Sequence, residues 1–143
     1  MLRKLPCLAT FAALAFWSAP ASAQVECETE FYNHNGSQMR GERCGTSLII
    51  LYERPRQGIY AQGVNPGTVL FEGTIGNNGA VEYIEGLARV FKAGCPEGLF
   101  PVEGGFTPGG PAGRPGIYLA GVAPVRAGNC AITGQRNETL QFD

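Results

Sequence analysis

From Thr46 to the C-terminus, short apolar runs alternate with clusters of Gly, Pro and Asn. The runs fall at 47–53, 59–64, 68–73, 80–85, 87–92, 99–103, 117–122, 129–133 and 138–142. Each is as long as a strand and shorter than the roughly 10–12 residues an amphipathic helix needs, which predicts β structure throughout. Two stretches show the two-residue period of a half-buried strand. In 87–92, Leu87, Arg89 and Phe91 share one face and Ala88, Val90 and Lys92 the other; in 139–142, Leu140 and Phe142 lie opposite Thr139 and Gln141. Asn77-Asn78-Gly79 stands where a tight hairpin requires positive φ, so 68–75 and 80–85 are expected to pair antiparallel. The expected architecture is an all-β sandwich or barrel forming a single domain over 47–143.

Two segments break the pattern. Residues 24–46 are polar, with a turn cluster at Asn33-His34-Asn35-Gly36-Ser37, and are expected to form an irregular N-terminal arm. Residues 104–116 hold six glycines and three prolines in thirteen positions, the composition of a surface loop that carries no strand ladder. Phe106 and Arg114 are its side chains suited to a partner contact. The most informative internal feature is a repeat. Arg56-x-Gly-Ile-Tyr60-x-x-Gly-Val-x-Pro66 returns 58 residues later as Arg114-x-Gly-Ile-Tyr118-x-x-Gly-Val-x-Pro124, with seven identities in eleven positions. Such a duplication predicts two pseudo-equivalent β units on one core. It would set Arg56 beside Arg114 with Tyr60 and Tyr118 nearby, an arrangement suited to an anionic or carboxylate-bearing ligand.

Residues 1–23 read as an export leader. Arg3 and Lys4 precede an apolar run from Leu8 to Trp17, and Pro20-Ala21-Ser22-Ala23 closes it with an A-x-A cleavage site. A run of about ten residues is half the length of a bilayer span. Cleavage after Ala23, periplasmic or secreted localisation and no stable membrane anchor are the expectations. Cys7 leaves with the leader, and Cys27, Cys44, Cys95 and Cys130 enter an oxidising compartment as a disulfide set. Four cysteines permit three pairings, all open on spacing; shorter loops favour Cys27–Cys44 and Cys95–Cys130. No metal is expected, because the cysteines are not clustered and the chain has one His. Losing Arg3 and Lys4 takes the formal charge from −1 to −3, which argues against a nucleic-acid partner.

Catalytic chemistry is thin. Beyond the leader, His34, Asp143 and Lys92 are each the sole residue of their type, with two serines, Ser37 and Ser47. His34 and Ser37 lie three residues apart in the polar arm, the one Asp is the last residue, and no Gly-x-Ser-x-Gly is present. Glu82 and Glu85 flank Tyr83-Ile84, but an i, i+3 pair on a strand faces opposite ways, so they do not form a glycosidase pair without a bulge at Gly86. The glycine-rich 104–110 stretch has no Lys-Ser/Thr pair and no following helix to cradle phosphate. No catalytic residue and no cofactor are assigned.

Gly67-Thr-Val-Leu-Phe-Glu-Gly73, Gly86-Leu-Ala-Arg-Val-Phe-Lys-Ala-Gly-Cys95, and Gly121-Val-Ala-Pro-Val125 with Cys130-Ala-Ile-Thr-Gly134 together resemble a small β domain of exported proteins in Gram-negative bacteria. The resemblance covers residues 46–143, implies that Cys95 and Cys130 belong together, and brings no catalytic residues. The function expected is that of a non-enzymatic exported module binding a protein or envelope component. Inhibition of a secreted hydrolase such as lysozyme, and hydrolysis of cell-wall carbohydrate, are the alternatives.

Overall fold

The computed structural model describes residues 23–143, so the expected leader, apart from Ala23, lies outside the described residues, and Cys7 with it. Eight strands follow in chain order: β1 (Cys27–His34), β2 (Ser37–Cys44), β3 (Ser47–Arg54), β4 (Val69–Asn77), β5 (Glu82–Val90), β6 (Gly98–Thr107), β7 (Gly116–Arg126) and β8 (Ile132–Phe142). Each pairs antiparallel with the next in a single sheet. The sheet closes on itself where the Asn33 N–H donates to the Asp143 carbonyl (2.7 Å) and the Asp143 N–H donates to the Asn33 carbonyl (3.1 Å). The fold is an up-and-down β-barrel clamped by two disulfides, Cys27–Cys44 and Cys95–Cys130. These bonds belong to an oxidising, non-cytoplasmic location. No described helix is long and apolar enough to cross a membrane.

The interior holds Met39, Ile50, Phe71, Ile84, Ile117, Leu119 and Phe142, all fully buried. Strand alternation delivers them: Leu140 and Phe142 both point inward, and on β5 the inward side takes Ile84 and Ala88 while Leu87 stays exposed. The Asn77–Gly79 hairpin forms as expected. Asn77 Oδ1 accepts from the Gly79 N–H (2.6 Å), Gly79 has φ +90°, and β4 pairs with β5.

Five expectations are corrected. Residues 24–46 are not an irregular arm; they supply β1 and β2, two strands of the same barrel, turned by Asn35-Gly36 with positive φ at both. Their inward positions near one barrel end are charged (Glu28, Glu30, Arg43), so no hydrophobic alternation marks them. The stretch 59–64 is not a strand. Pro55 follows β3 directly, α1 (Gln57–Tyr60) makes one helical turn, and Val64 is fully buried in the core. The 80–85 and 87–92 runs are one strand, because Gly86 stands directly opposite Gly73 without breaking the ladder. A Cβ on Gly86 would lie 2.6 Å from Gly73 Cα and 2.9 Å from the Phe71 ring, so this glycine serves close strand approach rather than a break. Residues 104–107 likewise continue β6 in register with β7, which confines the loop to 108–115. The two repeat copies are not equivalent units. The first forms the helical turn and the loop after it, while the second forms most of β7, paired on both sides.

Candidate functional site

Three regions of the barrel gather charged or aromatic side chains. At the end where β1 begins, Glu28, Glu30, Arg43, Glu82 and Phe106 surround a cavity of about 250 Å³. Its charges are largely neutralised internally. Arg43 pairs with Glu82 at 3.0 Å and lies 5.9 Å from the Phe106 ring centroid; Arg114 pairs with Glu30 at 3.1 Å; the Tyr32 hydroxyl donates to Glu30 at 2.6 Å. Burial, reinforced by the Glu30 carboxylate, pushes the Tyr32 phenol well above its ordinary range, so it stays a donor. This end is an ionic network in which both arginines are paired and Glu28 has no ion-pair partner among the described residues.

At the opposite end the connection carrying α1 covers the barrel. A cavity of about 190 Å³ has a floor of Ser37, Tyr52, Leu70, Phe100 and Leu140, and is bordered by His34, Arg56, Arg89, Arg136 and Glu138. The His34 Nδ1–H donates to the Gln141 carbonyl at 2.8 Å, and the Asn35 side-chain amide donates to Nε2 at 3.3 Å, which fixes a neutral ring. Arg136 Nε meets Glu138 at 2.8 Å. The Ser37 hydroxyl oxygen accepts from the Arg56 backbone N–H at 3.0 Å. Burial pushes the Tyr52 phenol up to about 12, against a smaller opposing pull from Arg56.

The third region is the outer face of β4–β7. Two adjoining hollows of about 670 and 870 Å³ share Glu85, Glu103, Ala120, Gly121 and Val122 and form one concavity. Gly73 and Gly86 let β4 and β5 approach closely there. Glu85 and Glu103 are direct cross-strand partners, which sets their Cβ atoms about 4.5–5.5 Å apart on the same face. Among the described residues neither carboxylate has an ion-pair partner, and no Arg or Lys lines either hollow. Apolar side chains surround the pair: Leu87 is 39% exposed, Val122 47% and Tyr83 41%.

No family model, curated protein or solved structure matches this chain. Geometry alone therefore ranks the three regions.

The residues singled out by the repeat are scattered. Arg56 sits next to Ser37, the β2 residue opposite His34, whereas Arg114 pairs with Glu30, four residues and roughly 13 Å of strand away toward the other end. Tyr60 is exposed on α1, and Tyr118 is exposed on the outer face of β7, so neither stacks on an arginine pair. Phe106 faces the barrel interior rather than a loop tip. Glu82 and Glu85 do face opposite ways, Glu82 into the ionic end and Glu85 outward, with no register shift along β5. Sequence reasoning missed Glu103 as the neighbour of Glu85. The signal lay in the register of β5 with β6, which follows only once 104–107 is recognised as strand. Among the described residues no group of three or more His, Cys, Asp or Glu is placed to hold a metal.

Proposed function

We propose that the chain is an exported, non-enzymatic binding module of the periplasm that docks a cationic protein on the outer face of β4–β7. The observation that carries this reading is the Glu85–Glu103 pair. Like charges directly opposite on a sheet cost stability, and among the described residues no cation pairs with either of them. A Lys- or Arg-rich surface would supply the missing charge, while Leu87, Val122 and Tyr83 supply apolar area for the contact. A secreted basic hydrolase is one partner of this chemistry, which keeps inhibition of lysozyme as a specific form of the reading.

A photo-crosslinker at Val122, used in the exporting cell, tests it. Capture of a protein with a basic surface is expected, weakened at raised salt and lost in Glu85→Gln/Glu103→Gln with no loss of folded protein. Capture that is indifferent to the double substitution removes the reading. Slower lysozyme-driven clearing of cell walls by purified protein, relieved by the same substitutions, would name the hydrolase as the partner. A second reading rests on the same pair: a retaining glycosidase works with two carboxylates about 5 Å apart, a spacing that two glutamates directly opposite on neighbouring strands can reach. Release of soluble cell-wall fragments by wild-type protein and not by Glu85→Gln would favour it over docking.

A further inference from the structure

Donors without acceptors mark the end of the barrel covered by α1. Three guanidiniums border its cavity against a single carboxylate, Glu138. Arg89 is already engaged, with Nη2 on Glu72 at 2.9 Å and Nε on Glu97 at 3.2 Å. Arg136 commits Nε to Glu138 and keeps its terminal nitrogens. Arg56 has no ion pair among the described residues, and neither the Ser37 nor the Tyr52 O–H donates a hydrogen bond among them. His34 is neutral and its Nδ1–H is spent on Gln141, so the positive charge here rests on arginine. The floor residues Ser37 and Tyr52 are buried, while Arg56 and Arg136 at the rim are exposed, which leaves the cavity open to solvent between two cations.

We infer that this cavity is a binding site for a small oxyanion, a phosphate or carboxylate group, held by Arg56 from the β3–β4 connection and Arg136 from β8, with the hydroxyls of Ser37 and Tyr52 donating from the floor. Planar guanidinium forks match both oxyanions, and charge-assisted bonds are the strong ones. A volume of about 190 Å³ lies below the roughly 300–1,000 Å³ of a drug-sized pocket, so it takes a small ion or the anionic end of a longer molecule. The site borders the outer acidic face through Glu138, which lines both, but its cations are Arg56 and Arg136, and it stands whether or not a protein docks on that face.

The test titrates the oxidised chain with inorganic phosphate and, separately, with sodium acetate, at ionic strength held constant with sodium chloride, following amide and arginine side-chain NMR shifts. Saturable shifts at Ser37, Tyr52, Arg56 and Arg136 are expected, with the melting temperature rising as the ion is added. Arg56→Gln and Arg136→Gln should each weaken binding about 10-fold. Arg54→Gln, an exposed arginine outside the cavity, should leave it unchanged. Tyr52→Phe removes one floor donor without removing charge and should weaken binding less. A response to phosphate alone assigns a tetrahedral ion, and a response to acetate alone a carboxylate. No saturable response to either, or equal affinity in Arg56→Gln, Arg136→Gln and Arg54→Gln, overturns the assignment.

Discussion

His34 is the one imidazole in the chain, and its surroundings set a pH dependence for the whole fold. The ring lies 4.9 Å from the Phe142 ring and is buried at the junction of β1 with β8. Burial disfavours the imidazolium and holds the pKa below the ordinary 6.5, outweighing the hydrogen bond to the Gln141 carbonyl, which acts the other way. In the unfolded chain the same ring titrates near 6.5. Between that pH and the lower folded pKa the unfolded state binds the extra proton, so stability falls as pH drops through this window and does not change on this account above it. Urea midpoints measured from about pH 7.5 to about pH 5 should decline in the wild type. His34→Gln, which keeps a donor for Gln141, should flatten the decline. Identical slopes in the two proteins would place the titration elsewhere.

Among the elements, β7 and β8 are the longest strands at 11 residues each, and they depend least on the core at their far ends. Residues 132–137 are exposed without alternation, so that part of the ribbon lacks an apolar face to bury. It is tied instead by Cys95–Cys130, which joins the β5–β6 and β7–β8 turns, and by Arg126 Nη1, which donates to the Pro96 carbonyl at 2.6 Å. A bridge closing 35 residues restricts the unfolded chain by up to about 4 kcal/mol. Cys95→Ser/Cys130→Ser should lower stability by up to that amount, read from denaturant midpoints, and speed amide exchange along 132–136 before the barrel core is affected. A global loss with no local fraying would mean that the bridge acts only through the unfolded state. The same elements show what a sequence reveals. The strands from Ser47 onward were legible because their inward positions are Leu, Ile and Phe. Strands β1 and β2 were not, because their inward positions at the ionic end are Glu28, Glu30 and Arg43, which read as solvent-facing. The repeated motif shows the limit from the other side. Val64 is fully buried after a helical turn, whereas Val122 is 47% exposed on a strand, so seven shared identities did not decide conformation. Pairing did, since β6 and β8 flank the second copy and Pro55 takes the first off the ladder. The candidate sites were legible one residue at a time, with Arg56 and Glu85 noticed, but their partners Arg136 and Glu103 depend on register across strands.

At the scale of the whole molecule, charge is sorted along the barrel and the closure is uneven. One end sets Glu28, Glu30 and Glu82 against Arg43 and Arg114, and the other sets Arg56, Arg89 and Arg136 against Glu138, with a packed apolar core between. Seven of the strand junctions are extended ladders, whereas β1 meets β8 through the reciprocal Asn33–Asp143 bonds and the His34 contact to Gln141. Phe142, fully buried and edge-on to Tyr32 at 6.3 Å, holds this seam from inside. A junction with so few backbone bonds opens at lower free energy than the ladders of β3, β4 and β5, where Ile50 stands directly opposite Phe71 and Phe71 opposite Ala88. Native-state hydrogen exchange should therefore release the Asn33 and Asp143 amides well before those of Phe71 and Ala88. Phe142→Ala should widen the gap while costing about 3–5 kcal/mol of global stability. Protection at Asn33 equal to that at Phe71 would show instead that the barrel opens only as a unit, with the seam as firm as its ladders.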